Sequence, residues 1–528
     1  MFILTHRVMK PAEGRSRWLL LVAACLWSTA FGQNSPWYGI ALPPPFDPHD
    51  VPAIIGSRGP VPARVPAGEE NYPELTGEII RQDLADIVAI SQRSLASREL
   101  NSDQIWGRVS GFASGQEAVQ WAAGKFRDAG ISDVRLQGFR QNEGSSLWLP
   151  ESWELRLLAN AEAGPGSDDV VLQTAVALAP SVIAGGRLTA PLIHVGGGSA
   201  AQLQHLDLTG YIAVQTVIPQ AHLVFERDRV MTNARDLVAR GAVAVINVVQ
   251  LPGNEMARDM SGCGGPCFNI GGRDGLFLTS VLDQAAVQGN LLQMSISLSA
   301  REHRALEAVN AVAVIPGQSP ETIILNAHAD AWFDGAGDNG DGLAVLVALA
   351  RHFSRPEITL PRTLVLVASA GHHTPGLNGP ANAVAMNPDL FGPARLIINL
   401  EHVAQRNLVP ARSEYGDGYR EYVADAGEAP IVAGVTNSAP FLEALIDQGV
   451  QRYGTNFVSG PSTMASGEGG GYRSAGVPIV TTMQAPPLYH TSGEVLEVIS
   501  TPGLERMARF MAFFVREVAQ ATPAQLSP

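Results

Sequence analysis

Short apolar runs alternate with amphipathic segments along the second half of the chain. Residues 322–327 and 363–370 have the length and the β-branched content of buried strands. The segments at about 342–353, 438–453 and 502–519 repeat apolar residues at helical spacing. Further strands are predicted at 311–315, 394–400 and 478–483. This alternation predicts an α/β fold with a largely parallel, doubly wound sheet and helices on both of its faces.

The first half of the chain has a different pattern of apolar and polar residues. Helical spacing at 79–90 and at 118–129 is followed by strand patterns at 134–139 and 153–159. From about 178 to 292, short apolar runs are punctuated by glycine, which predicts a smaller, mainly-β inserted domain. We therefore divide the chain into four parts. They are a signal peptide (1–32), a proline-rich arm lying along a domain or forming a loose linker (33–75), a main domain (76–177 and 305–528) and the insert (178–292).

The first thirty or so residues have the pattern of an export signal. Basic residues such as Arg7 and Arg17 precede an apolar run at 18–27, which is too short to cross a bilayer comfortably. Cleavage after small side chains at 30–32 would release the mature chain. The alternative is a bacterial lipoprotein signal that leaves a lipid anchor on Cys25. Both readings predict an exported protein, periplasmic or secreted, without a membrane span.

Composition adds three constraints. A chain of 528 residues is too long for one core, and 46% apolar with 16% charged residues is an ordinary globular composition. A formal net charge of −14 argues against nucleic acid as a partner, because phosphates require a basic surface. Apart from Cys25 the only cysteines are Cys263 and Cys267, for which we expect a local disulfide in an oxidising compartment.

Residues of types that bind metals are concentrated at the ends of the predicted strands. The loop after the strand at 322–327 carries His328, Asp330, Asp334 and Asp338, which are residue types that bind divalent metals. The other three strand ends carry the same kinds of residue: His372, His373, Glu401, His402 and His490. Five of the twelve histidines thus fall at four strand ends. Because parallel strands end at one edge of a sheet, we expect these side chains to converge on a metal site.

This ordered set resembles the di-zinc exopeptidases, the group of zinc aminopeptidases and glutamate carboxypeptidase-like enzymes. His328-Ala-Asp330, Asp338-Asn339, the pair at 372–373, Glu401 and Tyr489-His490-Thr491 carry the resemblance, which covers about 76–177 and 305–520. The insert looks like the protease-associated domain of many members.

The resemblance implies two zinc ions, or one, bound by this chain. Asp338 would bridge the two, His328 and Glu401 would complete one, and His373 and His490 the other. Asp330 would orient the ring of His328. The implied substrate is a peptide or small amide, whose carbonyl the ions would polarise.

One departure from the family concerns catalysis. Members normally carry Glu-Glu, a general base and a ligand, where this chain has His372-His373. Histidine can ligate zinc, and a neutral imidazole can accept a proton, although nearby dications should weaken it as a base.

Three hypotheses follow. The first is an exported zinc aminopeptidase with His372 as an unusual base. The second is a catalytically impaired relative that keeps the metal and binds a peptide or a partner. The third is a serine hydrolase using Ser369, whose surroundings at 367–371 lack part of the nucleophile-elbow pattern.

Overall fold

The computed structural model describes residues 35–528 apart from 56–58, 103, 219–226, 259–261, 413–419, 460–466 and 485–486. The predicted signal peptide and Cys25 lie outside the described residues. No helix within the described part is long and apolar enough to cross a membrane.

The described strands are β1 (Ile54–Ile55), β2 (Gly107–Arg108), β3 (Asp133–Arg140), β4 (Leu147–Leu157), β5 (Val170–Val171), β6 (Val176–Ala177), β7 (Arg187–His194), β8 (Ile212–Val217), β9 (Ala244–Val249), β10 (Cys267–Ile270), β11 (Gln293–His303), β12 (Glu307–Ile315), β13 (Ser319–His328), β14 (Ala331–Trp332), β15 (Arg362–Ser369), β16 (Ala394–Glu401), β17 (Arg406–Arg412), β18 (Arg420–Glu428), β19 (Ile431–Val435), β20 (Phe457–Ser459) and β21 (Ile479–Met483). The α-helices are α1 (Gly77–Ser97), α2 (Ala113–Asp128), α3 (Ala200–Leu203), α4 (Arg227–Ala239), α5 (Gly272–Gln288), α6 (Asp341–Phe353), α7 (Gly379–Met386), α8 (Pro388–Phe391), α9 (Pro440–Tyr453) and α10 (Thr501–Gln520).

The central sheet has the strand order β20-β19-β21-β16-β13-β15-β12-β3. Its four middle strands, β21, β16, β13 and β15, are parallel. On one side β12 pairs antiparallel with β15 and β3, and on the other β19 is antiparallel to β21 and parallel to β20. The predicted α/β class is confirmed, with antiparallel strands added at both flanks of the parallel centre. The parallel centre matters for function because all four strands end at the same edge.

Alternation along β13 explains why helices cover both faces of this sheet. Ile323 and Leu325 point into the core formed with α1, α6 and α10, whereas Ile324 points to the opposite face, against α7 and α8. All three side chains have no exposed surface. A strand buried on both faces reads as a continuous apolar run, as the sequence does here.

The second large sheet has the order β5-β4-β11-β7-β8-β9-β10-β6 and packs against α5. It includes β4, β5 and β6, which precede residue 178, as well as β11, which extends past residue 292. Cys263 and Cys267 form the expected disulfide. The described parts of the proline-rich arm lie along both sheets: the backbone N–H of Trp37 donates to Ser167 Oγ (2.7 Å), and β1 pairs with β18.

Candidate functional site

Asp338 lies at the centre of a cluster of histidines. Its Oδ1 is 3.2 Å from His328 Nε2 and 2.9 Å from His402 Nε2. Its Oδ2 is 3.1 Å from His373 Nε2 and 2.8 Å from His490 Nε2. Each carboxylate oxygen therefore faces two imidazole nitrogens.

The fold brings these residues together through the parallel centre of the sheet. His328 is the last residue of β13, and His373 follows β15 by four positions. His402 directly follows β16, and His490 lies in the loop after β21. Asp338 belongs to the turn that joins β13 to α6, and the buried guanidinium of Arg108 holds the start of this connection.

The contacts of the other ring nitrogens fix the orientation of two imidazoles. His328 Nδ1 lies 3.0 Å from the backbone oxygen of Asp330 and 3.6 Å from that residue's carboxylate. His402 Nδ1 lies 2.9 Å from the backbone oxygen of Gln484. Since a carbonyl oxygen only accepts, each Nδ1 is a donor, and in the neutral ring the Nε2 lone pair can bind a metal. The Asp330 carboxylate accepts a hydrogen bond from the backbone N–H of His373 (3.2 Å).

Electrostatics within the cluster is dominated by Asp338. Burial raises the pKa of Asp338, but the charges of His373 and His402 bring it well below its ordinary value. Burial lowers the pKa of His402, but Asp338 more than offsets this and raises it to about 9. Burial also lowers the pKa of His328, but the nearby carboxylates of Asp330 and Asp338 raise it well above 6.5. A metal ion would compete with the proton for the Nε2 lone pair of each imidazole, so metal binding would release protons.

The residues present fit a zinc site. His328 Nε2 and His373 Nε2 are buried, and neither has a hydrogen-bond partner of acceptable geometry. Three groups of side chains each place their potential ligand atoms within 4.8 Å of one another. The groups are His328 with His372 and His373, His328 with Glu401 and His402, and Asp338 with His373 and His490. Imidazole nitrogen and carboxylate oxygen are the usual zinc ligands outside thiolate sites.

Glu401 lies in this cluster, but its carboxylate has other partners. Oε2 accepts hydrogen bonds from Asn399 Nδ2 (2.8 Å) and from the backbone N–H of Glu468 (3.1 Å). Oε1 lies 3.6 Å from His372 Nε2. The predicted ligands His328, His373 and His490 all contact Asp338. Within the described residues, Glu401 has no such contact.

His372 is the most accessible of the five histidines, with 19% of its side chain exposed against 10% or less for the others. Its ring lies 4.3 Å from that of His328, centre to centre. Burial, together with the charges of His328 and His373, lowers the pKa of His372 well below 6.5. The imidazole is therefore neutral at pH 7, the form that can accept a proton.

Ser369, the nucleophile of the third hypothesis, is fully buried. Its hydroxyl lies 2.8 Å from Asn326 Oδ1 and 2.6 Å from Glu468 Oε2. No described hydrogen bond joins Ser369 to a histidine. A serine without an exposed hydroxyl or a histidine partner argues against a serine hydrolase at this position.

Several residues at the cluster have no role predicted from the sequence. The sequence pattern marks His402 only as a strand-end histidine. Glu494, 1% exposed, has one carboxylate oxygen without a partner, and burial with the charge of Asp338 raises its pKa to about 8. Arg108 comes from a segment more than 200 residues before Asp338 and has no local motif that could reveal its role.

Residues 255–258 of the insert reach the sheet edge where the histidine cluster lies. Met256 N donates to Ser492 Oγ (3.0 Å), and Ser492 N donates to the Met256 backbone oxygen (2.9 Å). The backbone N–H of Arg258 donates to the His490 oxygen (3.0 Å), and its guanidinium lies 3.5 Å from the centre of the Trp332 ring. These contacts tie the insert to the loop that carries His490.

Comparisons with known proteins agree with this geometry. Peptidase family M28 matches residues 310–515, which include every histidine of the cluster. A zinc aminopeptidase from Bacillus subtilis is similar in structure, with a TM-score of 0.57, 17% identity, and coverage of 87% of this chain and 99% of the other. An aminopeptidase from Aneurinibacillus sp. strain AM-1 has a TM-score of 0.52 and 18% identity, with coverage of 86% of this chain and 97% of the other. A peptidase M28 precursor from Shewanella amazonensis has a TM-score of 0.57 and 18% identity, with coverage of 86% of this chain and 99% of the other. At these identities the structures show a shared fold, and no curated protein matches the sequence.

Proposed function

We propose that this chain, which over residues 310–515 belongs to the di-zinc exopeptidase family, is an exported zinc-dependent aminopeptidase that removes N-terminal residues from peptides. The observation that carries the proposal is the arrangement around Asp338, where each carboxylate oxygen faces two histidine nitrogens within 3.2 Å. A carboxylate placed in this way can bridge two cations.

Each predicted site residue has a place in this proposal. Asp338 would bridge the ions, with His328 on one side and His373 and His490 on the other. Glu401 or the adjacent His402 supplies the remaining ligand. Asp330 lies beside His328 and accepts the backbone N–H of His373, so it positions both. Zinc bound there supplies polarisation of a peptide carbonyl and a lowered pKa for water.

His372 is the proposed proton acceptor. Its side chain is the most accessible in the cluster, and Glu401 Oε1, 3.6 Å away, is placed to orient the ring. A neutral imidazole at this position can take a proton from an attacking water and return it to the leaving amine.

The second candidate is a catalytically impaired relative that keeps the metals and binds a peptide or a partner. One observation favours it: burial and the charges of His328 and His373 lower the pKa of His372 well below 6.5, which makes its imidazole a weak base.

The two candidates are separated by turnover of aminoacyl-anilides. An aminopeptidase predicts turnover that a chelator abolishes and zinc restores, whereas bound zinc without turnover supports the impaired relative. A second experiment compares His372→Glu, which introduces a carboxylate base, with His372→Gln, a control side chain that cannot act as a base. If His372 is an adapted base, the Glu variant gains little and the Gln variant loses about 100-fold in kcat. A gain in activity for the Glu variant would instead show that His372 marks a lost base.

Export is proposed from the sequence at 1–32 and is supported by the disulfide between Cys263 and Cys267, a bond that persists in oxidising compartments. The mass of the mature N-terminus tests it. Cleavage near residues 30–32 supports a released protein, a lipid on Cys25 supports an anchored one, and an intact N-terminus on the whole population contradicts export.

A further inference from the structure

We infer that His402, rather than the neighbouring Glu401, completes the first metal site, so that four imidazoles and one bridging carboxylate hold the two ions. The inference rests on the proposed function, because it concerns how this chain binds the same pair of metals. It replaces a ligand predicted from the sequence with a residue of a different chemical type.

The contacts around Asp338 are symmetric. His402 Nε2 lies 2.9 Å and His328 Nε2 lies 3.2 Å from Oδ1. On the other side, His490 Nε2 lies 2.8 Å and His373 Nε2 lies 3.1 Å from Oδ2. Ligand atoms that share one zinc ion at about 2.0–2.1 Å are separated from one another by about 3 Å. His402 meets this condition as closely as the three histidines already assigned.

Hydrogen bonds fix the His402 side chain and backbone in an orientation suited to binding a metal. Only 2% of the residue is exposed, and its Nδ1 donates to the Gln484 backbone oxygen at 2.9 Å. Its backbone N–H donates to Asn339 Oδ1 (3.1 Å), which belongs to the turn that carries Asp338. Its φ of 51° lies in the left-handed region, which is costly for a histidine and is also adopted by His490 (φ 56°). His402 and His490, which share this uncommon conformation, face opposite oxygens of one carboxylate.

Hydrogen bonds also fix the position of the Glu401 carboxylate. Asn399 Nδ2 and the Glu468 backbone N–H both donate to Oε2, and the carboxylate packs so closely against Gly467 that a Cβ there would overlap it. Oε1 is next to His372 Nε2. Glu401 is therefore engaged on the side of the cluster where His372 lies, whereas His402 faces the bridging oxygen.

The nitrogen-rich set has a consequence for metal choice. Imidazoles favour zinc and other late first-row metals over Mn²⁺ and Mg²⁺, which prefer oxygen ligands. The account therefore predicts that Mn²⁺ binds the chain at least about 100-fold more weakly than Zn²⁺.

The direct experiment is anomalous scattering at the zinc edge from crystals of the full mature chain grown with zinc. The inference predicts a peak within about 2.3 Å of His402 Nε2 and beyond about 3 Å from both oxygens of Glu401. A peak bonded to Glu401 and not to His402 overturns the inference and leaves the proposed function intact. A chain that binds no zinc overturns both.

A pair of adjacent variants provides the solution test. His402→Asn removes the imidazole but retains a residue that tolerates positive φ, and Glu401→Gln keeps the shape of the carboxylate. We expect zinc content to fall from about two ions to about one in His402→Asn, and zinc affinity in Glu401→Gln to stay within about threefold. The d–d absorption of bound Co²⁺ should change in the first variant only. Equal losses in both variants, or a loss confined to Glu401→Gln, contradict the inference.

Discussion

His490 Nε2 lies 2.8 Å from Oδ2 of Asp338, although 152 residues separate the two in the chain. His328, which enters the same cluster from another strand, lies 3.2 Å from the opposite oxygen. The convergence of strand ends predicted from the sequence is thus present in the fold. It arises because four parallel strands end at one edge, and any fold that separated them would have left these histidines apart.

The buried guanidinium of Arg108 should be required for both folding and metal binding. It donates to the backbone oxygens of Ala329 (3.0 Å), Asp334 (2.7 Å) and Gly335 (3.0 Å), in the segment between His328 and the turn of Asp338. Arg108→Met removes three hydrogen bonds to buried carbonyls, and we expect it to lower the free energy of unfolding by about 3 kcal/mol. Because the segment carries two of the proposed zinc ligands, His328 and Asp338, zinc affinity should fall by about 10- to 100-fold.

Urea unfolding and zinc titration measure the two effects of the Arg108 variant. Arg93→Met is the matched control: Arg93 lies on α1, its side chain is 57% exposed, and it pairs with Glu117 at the surface. Exposed pairs contribute little, so the control should change the unfolding free energy by less than about 1 kcal/mol. An Arg108 variant indistinguishable from this control would show that other contacts hold the segment.

Glu255 should make stability depend on pH at the contact between the insert and the main domain. Burial raises its pKa to about 7 from 4.5, although the hydrogen bond from Ser492 lowers it. Asp50 on the arm raises the pKa further, Arg273 on α5 lowers it, and the buried hydroxyl of Tyr422 on β18 completes its surroundings.

A folded-state pKa above the unfolded one means that the folded chain binds the proton more tightly. The stabilisation is complete below about pH 4.5 and is lost as the pH rises through 7. The shift corresponds to a change of about 3 kcal/mol in the free energy of unfolding. Glu255→Gln removes it, so the variant should gain stability relative to the wild type between pH 5 and pH 8. Urea denaturation of the protein without metal at several pH values measures the difference, and a difference that does not vary with pH would contradict the assignment.

Two glycines of α2 should respond oppositely to alanine. Nothing lies within 4 Å of a Cβ built on Gly124, so Gly124→Ala adds a helix-favouring side chain without a clash. We expect the free energy of unfolding to rise by about 0.5–1 kcal/mol. A Cβ on Gly115 overlaps the backbone oxygen of Val109, and Gly115→Ala should destabilise the chain. Thermal unfolding of the pair tests whether the contact at the start of α2 is as close as described.

Much of the main domain could be predicted because each strand is a continuous apolar run with a marked end. The predicted strand at 394–400 is β16, Ala394–Glu401, and the predicted helix at 502–519 is α10, Thr501–Gln520. The resemblance to the di-zinc exopeptidases is confirmed by the match to Peptidase family M28. The boundaries of the insert stay a prediction, as does its likeness to a protease-associated domain.

The details of the site were less accessible from the sequence. Glu401 and His402 are neighbours at a strand end, and sequence position alone cannot tell which of them faces Asp338. The answer depends on a backbone with φ of 51° at His402 and on hydrogen bonds that hold Glu401 elsewhere. Arg108 is equally hidden, because its partners are backbone oxygens more than 200 positions away in the chain.

The most direct test of the whole account is the metal content of the purified mature chain, measured by plasma emission for the wild type and for Asp338→Asn. The account predicts about two zinc ions per wild-type chain, and loss of at least one of them from the variant because the bridging charge is gone. A wild-type chain that retains no zinc after purification and binds none on titration, or a variant that binds zinc as the wild type does, would contradict it.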